Sequence, residues 1–177
     1  MAFNRGGWKE ERDAKHWDAI EEASELLEER RFEDALRALK AVVERDPNNP
    51  YAYNLIGTTC WELGKVEAAH DAFKAAVLLS PDFLGARIAL SHALRKLGNA
   101  REAEREARVA LSKRDDGEAH HALGLALAAQ GRRAEARQSL ELFLLSKPEF
   151  EASTETRGVL EMLAQGDEDE PLDVDDD

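Results

Sequence analysis

The stretch PYAYNLIGTTCWELGKVEAAHDAFKAAVLLSP, residues 50–81, decides the fold. Tyr53, Ile56 and Cys60 recur three and four apart, and Ala69, Phe73 and Ala76 do the same beyond Leu63-Gly64. That spacing puts each set on one face of an α-helix, so the stretch holds two helices with a break between them. Gly64 supplies the break, because a turn that needs positive φ costs glycine little. Pro81 stops the second helix, since proline lacks the backbone donor and clashes with the preceding turn. Gly57 and Ala69 are small, which predicts two antiparallel helices crossing closely there, where a larger side chain would overpack by about 1–3 kcal/mol.

The pattern recurs at intervals of about 34 residues, once shortened by one. Ala19, Ala23, Leu26, Ala35, Leu39, Val42 and Pro47 mark unit one, residues 16–49, and the quoted stretch opens unit two, residues 50–83. Unit three, residues 84–116, has Arg87, Leu90, Ser91, Leu94, Gly98, Ala103, Ala107 and Ala110, with Asp115 in the proline's place. Unit four, residues 117–150, has His120, Leu123, Gly124, Leu127, Gly131, Ala136, Leu140, Phe143 and Pro148. One helix pair cannot bury its own apolar stripe, so neighbouring units must stack into a solenoid with polar caps. Residues 151–165 carry Thr156, Val159, Leu160 and Leu163 at helical spacing and are read as a capping helix that stops before Gly166. Gly158 within it costs about 1 kcal/mol relative to alanine. Residues 166–177, GDEDEPLDVDDD, form an acidic low-complexity tail expected to be disordered. Residues 1–15 are expected to be partly helical, with Met1 to Gly7 frayed and Trp8 to Lys15 extending the first helix.

Unit two follows the tetratricopeptide pattern W-x2-L-G-x2-Y…A-x3-F…P, with Tyr53 for the tryptophan and Cys60 for the tyrosine. The four units together resemble the tetratricopeptide repeat family over about three quarters of the chain. The resemblance implies an all-α, right-handed α–α superhelix of four helix-turn-helix repeats plus a C-terminal capping helix. Units one and three depart most from the pattern, lacking its large aromatics.

Composition narrows the function. The net charge is −13, but residues 167–177 hold eight of the 37 acidic residues and no basic one, so the body is only mildly acidic. An acidic body with an acidic tail is repelled by phosphate backbones and anionic lipid, which argues against nucleic-acid and membrane partners and favours a partner with a basic stretch. The single cysteine, Cys60, excludes an intramolecular disulfide and fits a reducing compartment. Residues 1–12 lack the apolar core of a secretory signal, so a cytoplasmic location is expected. His16, His70, His92, His120 and His121 show neither an HExxH pattern nor Cys/His ligand spacing, so no metal is expected. Nucleophile elbows and phosphate-cradling glycine loops are also missing from the sequence, so neither a catalytic residue nor a cofactor is assigned and the chain is read as a non-enzyme. Cys60 and His120 are read as packing residues.

In the family resembled, the first helices of successive repeats line a concave groove that holds peptides. Helical spacing then nominates Trp17, Ile20, Ser24 and Leu27 from unit one and Tyr51, Asn54, Thr58 and Trp61 from unit two. Ile88, His92, Arg95 and Lys96 follow from unit three, and His121 and Leu125 from unit four. Aromatics supply contact area there, while amides, hydroxyls and cations can pair a peptide backbone or its side chains. Family members that grip chaperone C-terminal carboxylates use lysine, arginine and asparagine at slots filled here by Ile20, Ser24, Ile88 and His92. Asn54 and Arg95 do not rebuild that clamp. The expected function is a protein-interaction adaptor or scaffold. The alternative is a small secretion or assembly chaperone, since the chain also looks like the acidic tetratricopeptide chaperones of type III translocators, and an enzyme is a distant third. The acidic tail is expected to act as a solubilising segment, with a visit to the groove's cations as the second reading.

Overall fold

A computed structural model gives the structure of the protein over residues 5–168, with side chains described for residues 11–165. Among these residues all regular structure is helical: α1 (Arg5–Asp18), α2 (Glu21–Glu28), α3 (Phe32–Arg45), α4 (Pro50–Glu62), α5 (Val66–Leu79), α6 (Leu84–Lys96), α7 (Ala100–Lys113), α8 (Gly117–Ala128), α9 (Arg133–Leu145) and α10 (Phe150–Glu168). Helices α2/α3, α4/α5, α6/α7 and α8/α9 pair within units, and each second helix packs on the first helix of the next unit.

The turns inside units two, three and four place Gly64, Gly98 and Gly131 at φ of 71°, 83° and 73°. In unit one the same position is Arg30, held at φ 57°, a conformation costing a residue with a Cβ about 1–2 kcal/mol. Where the helices cross, a Cβ on Gly57 would lie 2.5 Å from the Phe73 ring, and one on Gly124 would lie 2.7 Å from Leu140. Unit three fills the equivalent slot with Ser91, whose hydroxyl donates to the Ala103 carbonyl across the crossing at 2.8 Å. Opposite these slots Ala69, Ala103 and Ala136 are fully buried.

Phe73, Ala76, Leu90 and Leu94 centre one core cluster, Leu123, Leu127 and Ala136 a second, and Ile20, Ala23, Leu39 and Ala52 a third at the N-terminal end. Pro47, Pro81 and Pro148 each follow shortly after the ends of α3, α5 and α9. At the joint without proline, Arg114 is extended and Asp116 caps α8 by accepting from the Glu118 N–H.

Two boundaries differ from expectation. α1 does not run on into the first helix of unit one: the chain turns at Ala19–Ile20, where the Ile20 N–H donates to Trp17 O at 3.0 Å. That tight turn places the Ile20 side chain in the core and starts a separate, shorter α2. At the other end, α10 passes through Gly166 to Glu168 and so extends beyond residues 151–165, because one glycine subtracts only about 1 kcal/mol from a helix already formed. Met1 to Asn4 and residues 169–177, most of the acidic tail, lie outside the described residues.

Candidate functional site

First helices meet directly where α2 touches α4 and α6 touches α8, and no comparable contact joins two second helices among the described residues. The first helices therefore make the inner wall of the curve and the second helices its outer wall. Positions repeating along the inner wall are the candidate site.

At the N-terminal end of this wall Trp17, 54% exposed, lies with its ring centroid 4.7 Å from Tyr51. Tyr51 meets Phe83 edge-on at 5.2 Å. The three rings form a ladder across two repeat joints, an arrangement that holds Tyr51 half-buried and leaves the Trp17 face to solvent. Trp17 sits on α1, so this end of the site depends on how α1 is anchored. Asn49 provides the anchor: fully buried, it accepts from the Tyr51 and Ala52 N–H groups at the start of α4 and donates its amide to His16 O at 3.0 Å. His16 is also paired with Asp46 at 3.0 Å.

Deeper along the wall, Ser24 and Thr58 donate their hydroxyls to carbonyls one turn back, Ile20 O and Asn54 O. Both are half-buried, as are Asn54, Trp61, Ile88 and Leu125. Trp61 leans on the core cluster of units two and three, and Ile88 on that of unit four. The Asn54 Oδ1 atom is buried and unpartnered among the described residues.

In units three and four the wall becomes basic and aromatic. His92 and His121 lie 5.6 Å apart between ring centroids, and His121 stacks on Phe143 at 4.5 Å. Burial, with the neighbouring His121 and Arg95, pushes the His92 imidazole down to about 4. Burial and then Arg95 lower His121 as well. Burial also lowers the Arg95 guanidinium, whose Nε is enclosed and unpartnered. Lys96 beside it is exposed. His92, Ile88, Gly85, Arg114, Asp116 and Glu118 are among the residues lining a cleft of about 370 Å³.

One nominated residue does not belong to this surface. Ile20 is 1% exposed and sits in the N-terminal core, because the turn at Ala19–Ile20 rotates it inward. The other nominated residues, Trp17, Ser24, Leu27, Tyr51, Asn54, Thr58, Trp61, Ile88, His92, Arg95, Lys96, His121 and Leu125, are half-buried or exposed. Sequence reasoning missed Phe83, which lies in a joint and not in a first helix, and the capping role of Asn49. An asparagine directly before Pro50 was the available signal for the cap.

Ion pairs join neighbouring helices. The Arg87 guanidinium, in the slot held by Tyr53 in unit two, pairs with Glu106 at 2.5 Å and donates to Pro81 O at 2.9 Å. Burial would raise the Glu104 carboxyl, but hydrogen bonds from Gln130, Arg108 and Arg132 outweigh it and hold the group at about 2. Burial raises the Cys60 thiol in the core of unit two. Among the described residues no cluster of three His, Cys, Asp or Glu could hold a metal ion, and no helix is long and apolar enough to cross a membrane.

Comparisons with known proteins agree with this architecture. Family models described as tetratricopeptide repeat match residues 20–82, 61–124 and 117–150. Among curated proteins, DnaJ homolog subfamily C member 3 of Mus musculus and of Homo sapiens are each 35% identical over 85 residues, 48% of this chain and 17% of theirs. The chain thus spans under a fifth of the length of those relatives. Among solved structures, MamA superposes with a TM-score of 0.72 at 22% identity, covering 82% of this chain and 84% of that one. PilW, a type IV pilus biogenesis factor, superposes with a TM-score of 0.73 at 19% identity, covering 86% and 73%. With three contiguous model matches from residue 20 to residue 150 and this stacked helical architecture, the chain belongs to the tetratricopeptide repeat family.

Proposed function

We propose that the protein is an adaptor or scaffold that holds a segment of a partner protein along the inner wall of the solenoid. The observation carrying this reading is that Asn54 Oδ1 and Arg95 Nε, two of the four enclosed side-chain atoms without partners among the described residues, lie on first helices of adjacent units. Buried polar atoms are nearly always hydrogen-bonded in a finished interface. Side chains with unsatisfied polar groups on adjacent first helices, together with the exposed Trp17 face, support a ligand as what completes this surface. The thiol of Cys60, buried in the core, suits a reducing compartment, and we place the protein in the cytoplasm.

Affinity capture from the native cell extract, compared with an Asn54→Ala/Thr58→Ala variant, tests the reading. Neither side chain belongs to a core cluster, so the circular dichroism should be unchanged while recovery of the captured partner falls several-fold. Equal recovery by the two proteins would place binding on another surface.

A further inference from the structure

We infer that the inner wall of units three and four carries a carboxylate subsite centred on Arg95, which accepts one internal Asp or Glu side chain of a bound segment. This rests on the reading of the inner wall as the binding face and specifies the chemistry of its occupant.

The inference starts from ion pairing. The chain has 37 acidic and 24 basic residues, so a cation has carboxylates in excess around it. The half-buried Arg87 is paired with Glu106 and Arg132 with Glu104 and Glu135, while Arg133 and Arg137 also have contacts. Arg95 is, among the described residues, the one partly buried arginine left without a hydrogen bond or ion pair. A guanidinium stays charged at any ordinary pH and offers five donors in a planar fork matched to a carboxylate. The Arg95 Nε is enclosed, and its two Nη groups, also without partners among the described residues, are the donors a bound carboxylate would reach.

The neighbours of Arg95 agree. His92 and His121, the titratable groups packed beside it from α6 and α8, are kept neutral by burial, so each has an N–H to donate and an uncharged nitrogen. Asp116 and Glu118 line a cleft with His92 that Arg95 does not line, and Asp116 is already paired with Arg114. Ile88 on α6 and Leu125 on α8 are half-buried apolar residues of the same two helices. Unit three is the third of four, so the inner wall continues past Arg95 toward Trp61 on one side and Leu125 on the other. A segment lying there must run on in both directions, which favours a side-chain carboxylate over a chain terminus. The protein's acidic surface disfavours further acids, so the segment should carry a single acid among apolar or basic residues.

Selection of displayed linear peptides on the full-length protein, in parallel with Arg95→Gln and with Asn54→Ala/Thr58→Ala, tests the inference. Expected is enrichment of Asp or Glu at one internal position. Replacing that acid by its amide in a synthetic peptide should weaken binding by roughly tenfold or more, the value of a charge-assisted contact. R95Q should bind the acid and amide peptides equally and keep its helical spectrum. Peptides without the acid preference, or a preference unchanged in R95Q, overturn the carboxylate subsite. In that event, loss of those same peptides by the Asn54/Thr58 variant keeps the inner wall as the binding face, and their retention overturns both readings.

Discussion

At Gly57 the space for a single methyl group is already occupied by the Phe73 ring, and at Gly124 by Leu140. A side chain at either position must push the paired helices apart. Gly57→Leu is therefore expected to lower stability by about 3 kcal/mol or more, the upper end of overpacking costs, read as a lower urea midpoint. An unchanged midpoint would mean that α4 and α5 do not cross at Gly57. Asn49 is the second residue on which much depends, because one side chain caps α4 and ties it to α1. Asn49→Ala should cost about 2 kcal/mol, a cap plus a buried carbonyl left unpaired at His16. Trp17 fluorescence should also become more solvent-like as α1 loosens. His92 sets a pH limit at the same scale. Its folded value of about 4 lies below the ordinary 6.5, so the unfolded chain takes up the proton first. The contribution is fully present above about pH 6.5 and is lost as pH falls toward 4. NMR titration of the His92 ring should give a midpoint well below that of an exposed histidine, and an ordinary midpoint would show that the ring is hydrated.

For single elements, α7 and α10 show opposite kinds of attachment. α7 is fastened to the following unit through Glu104, which accepts from Arg132 and Gln130 as well as from Arg108 on its own helix. Its carboxyl titrates at about 2 in place of the ordinary 4.5, so the fastening is present above about pH 4.5 and lost as pH falls toward 2. Glu104→Gln should cost about 1–2 kcal/mol at pH 7, less than a fully buried charged network because Arg108 and Arg132 remain half exposed to solvent. Urea midpoints measured at pH 7 and pH 3 should differ less for this variant than for the parent. α10 packs on α9 but leaves Gly158 with open space where its Cβ would stand. Gly158→Ala should therefore raise stability by about 0.5–1 kcal/mol through helix propensity alone. A loss of stability would reveal a contact at that face.

Over the whole molecule, the stack transmits damage between neighbours. Each unit makes its main contacts with those next to it, so disruption should spread from its origin and fade with distance. Hydrogen exchange on Gly124→Ala should show faster exchange in α8 and α9, a smaller rise in α7 and α10, and little change in α2 and α3. A uniform rise would instead mean a single cooperative unit. Charge adds a second effect at this scale: Arg87 and Arg132 are paired with carboxylates, whereas Arg95 is left unpaired among the described residues.

The repeat was legible from one-dimensional order because its requirements are local. A turn that needs positive φ selects Gly64, Gly98 and Gly131, helix ends select Pro47, Pro81 and Pro148, and a close crossing selects Gly57 and Gly124. Each of these constraints acts on a residue and its near neighbours, so periodic spacing alone placed the helices and the face they bury. The tertiary structure decided the rest. It turned Ile20 into the core, because a one-residue change in where a helix starts rotates a side chain by about 100°. It brought Phe83 from a joint into the Trp17–Tyr51 ladder, and gave Arg87 and Ser91 polar partners on other helices in slots that the repeat pattern reserves for an aromatic and a glycine. It also left Arg95 unpaired, since a charge's partner is set by distance through space and not by spacing along the chain.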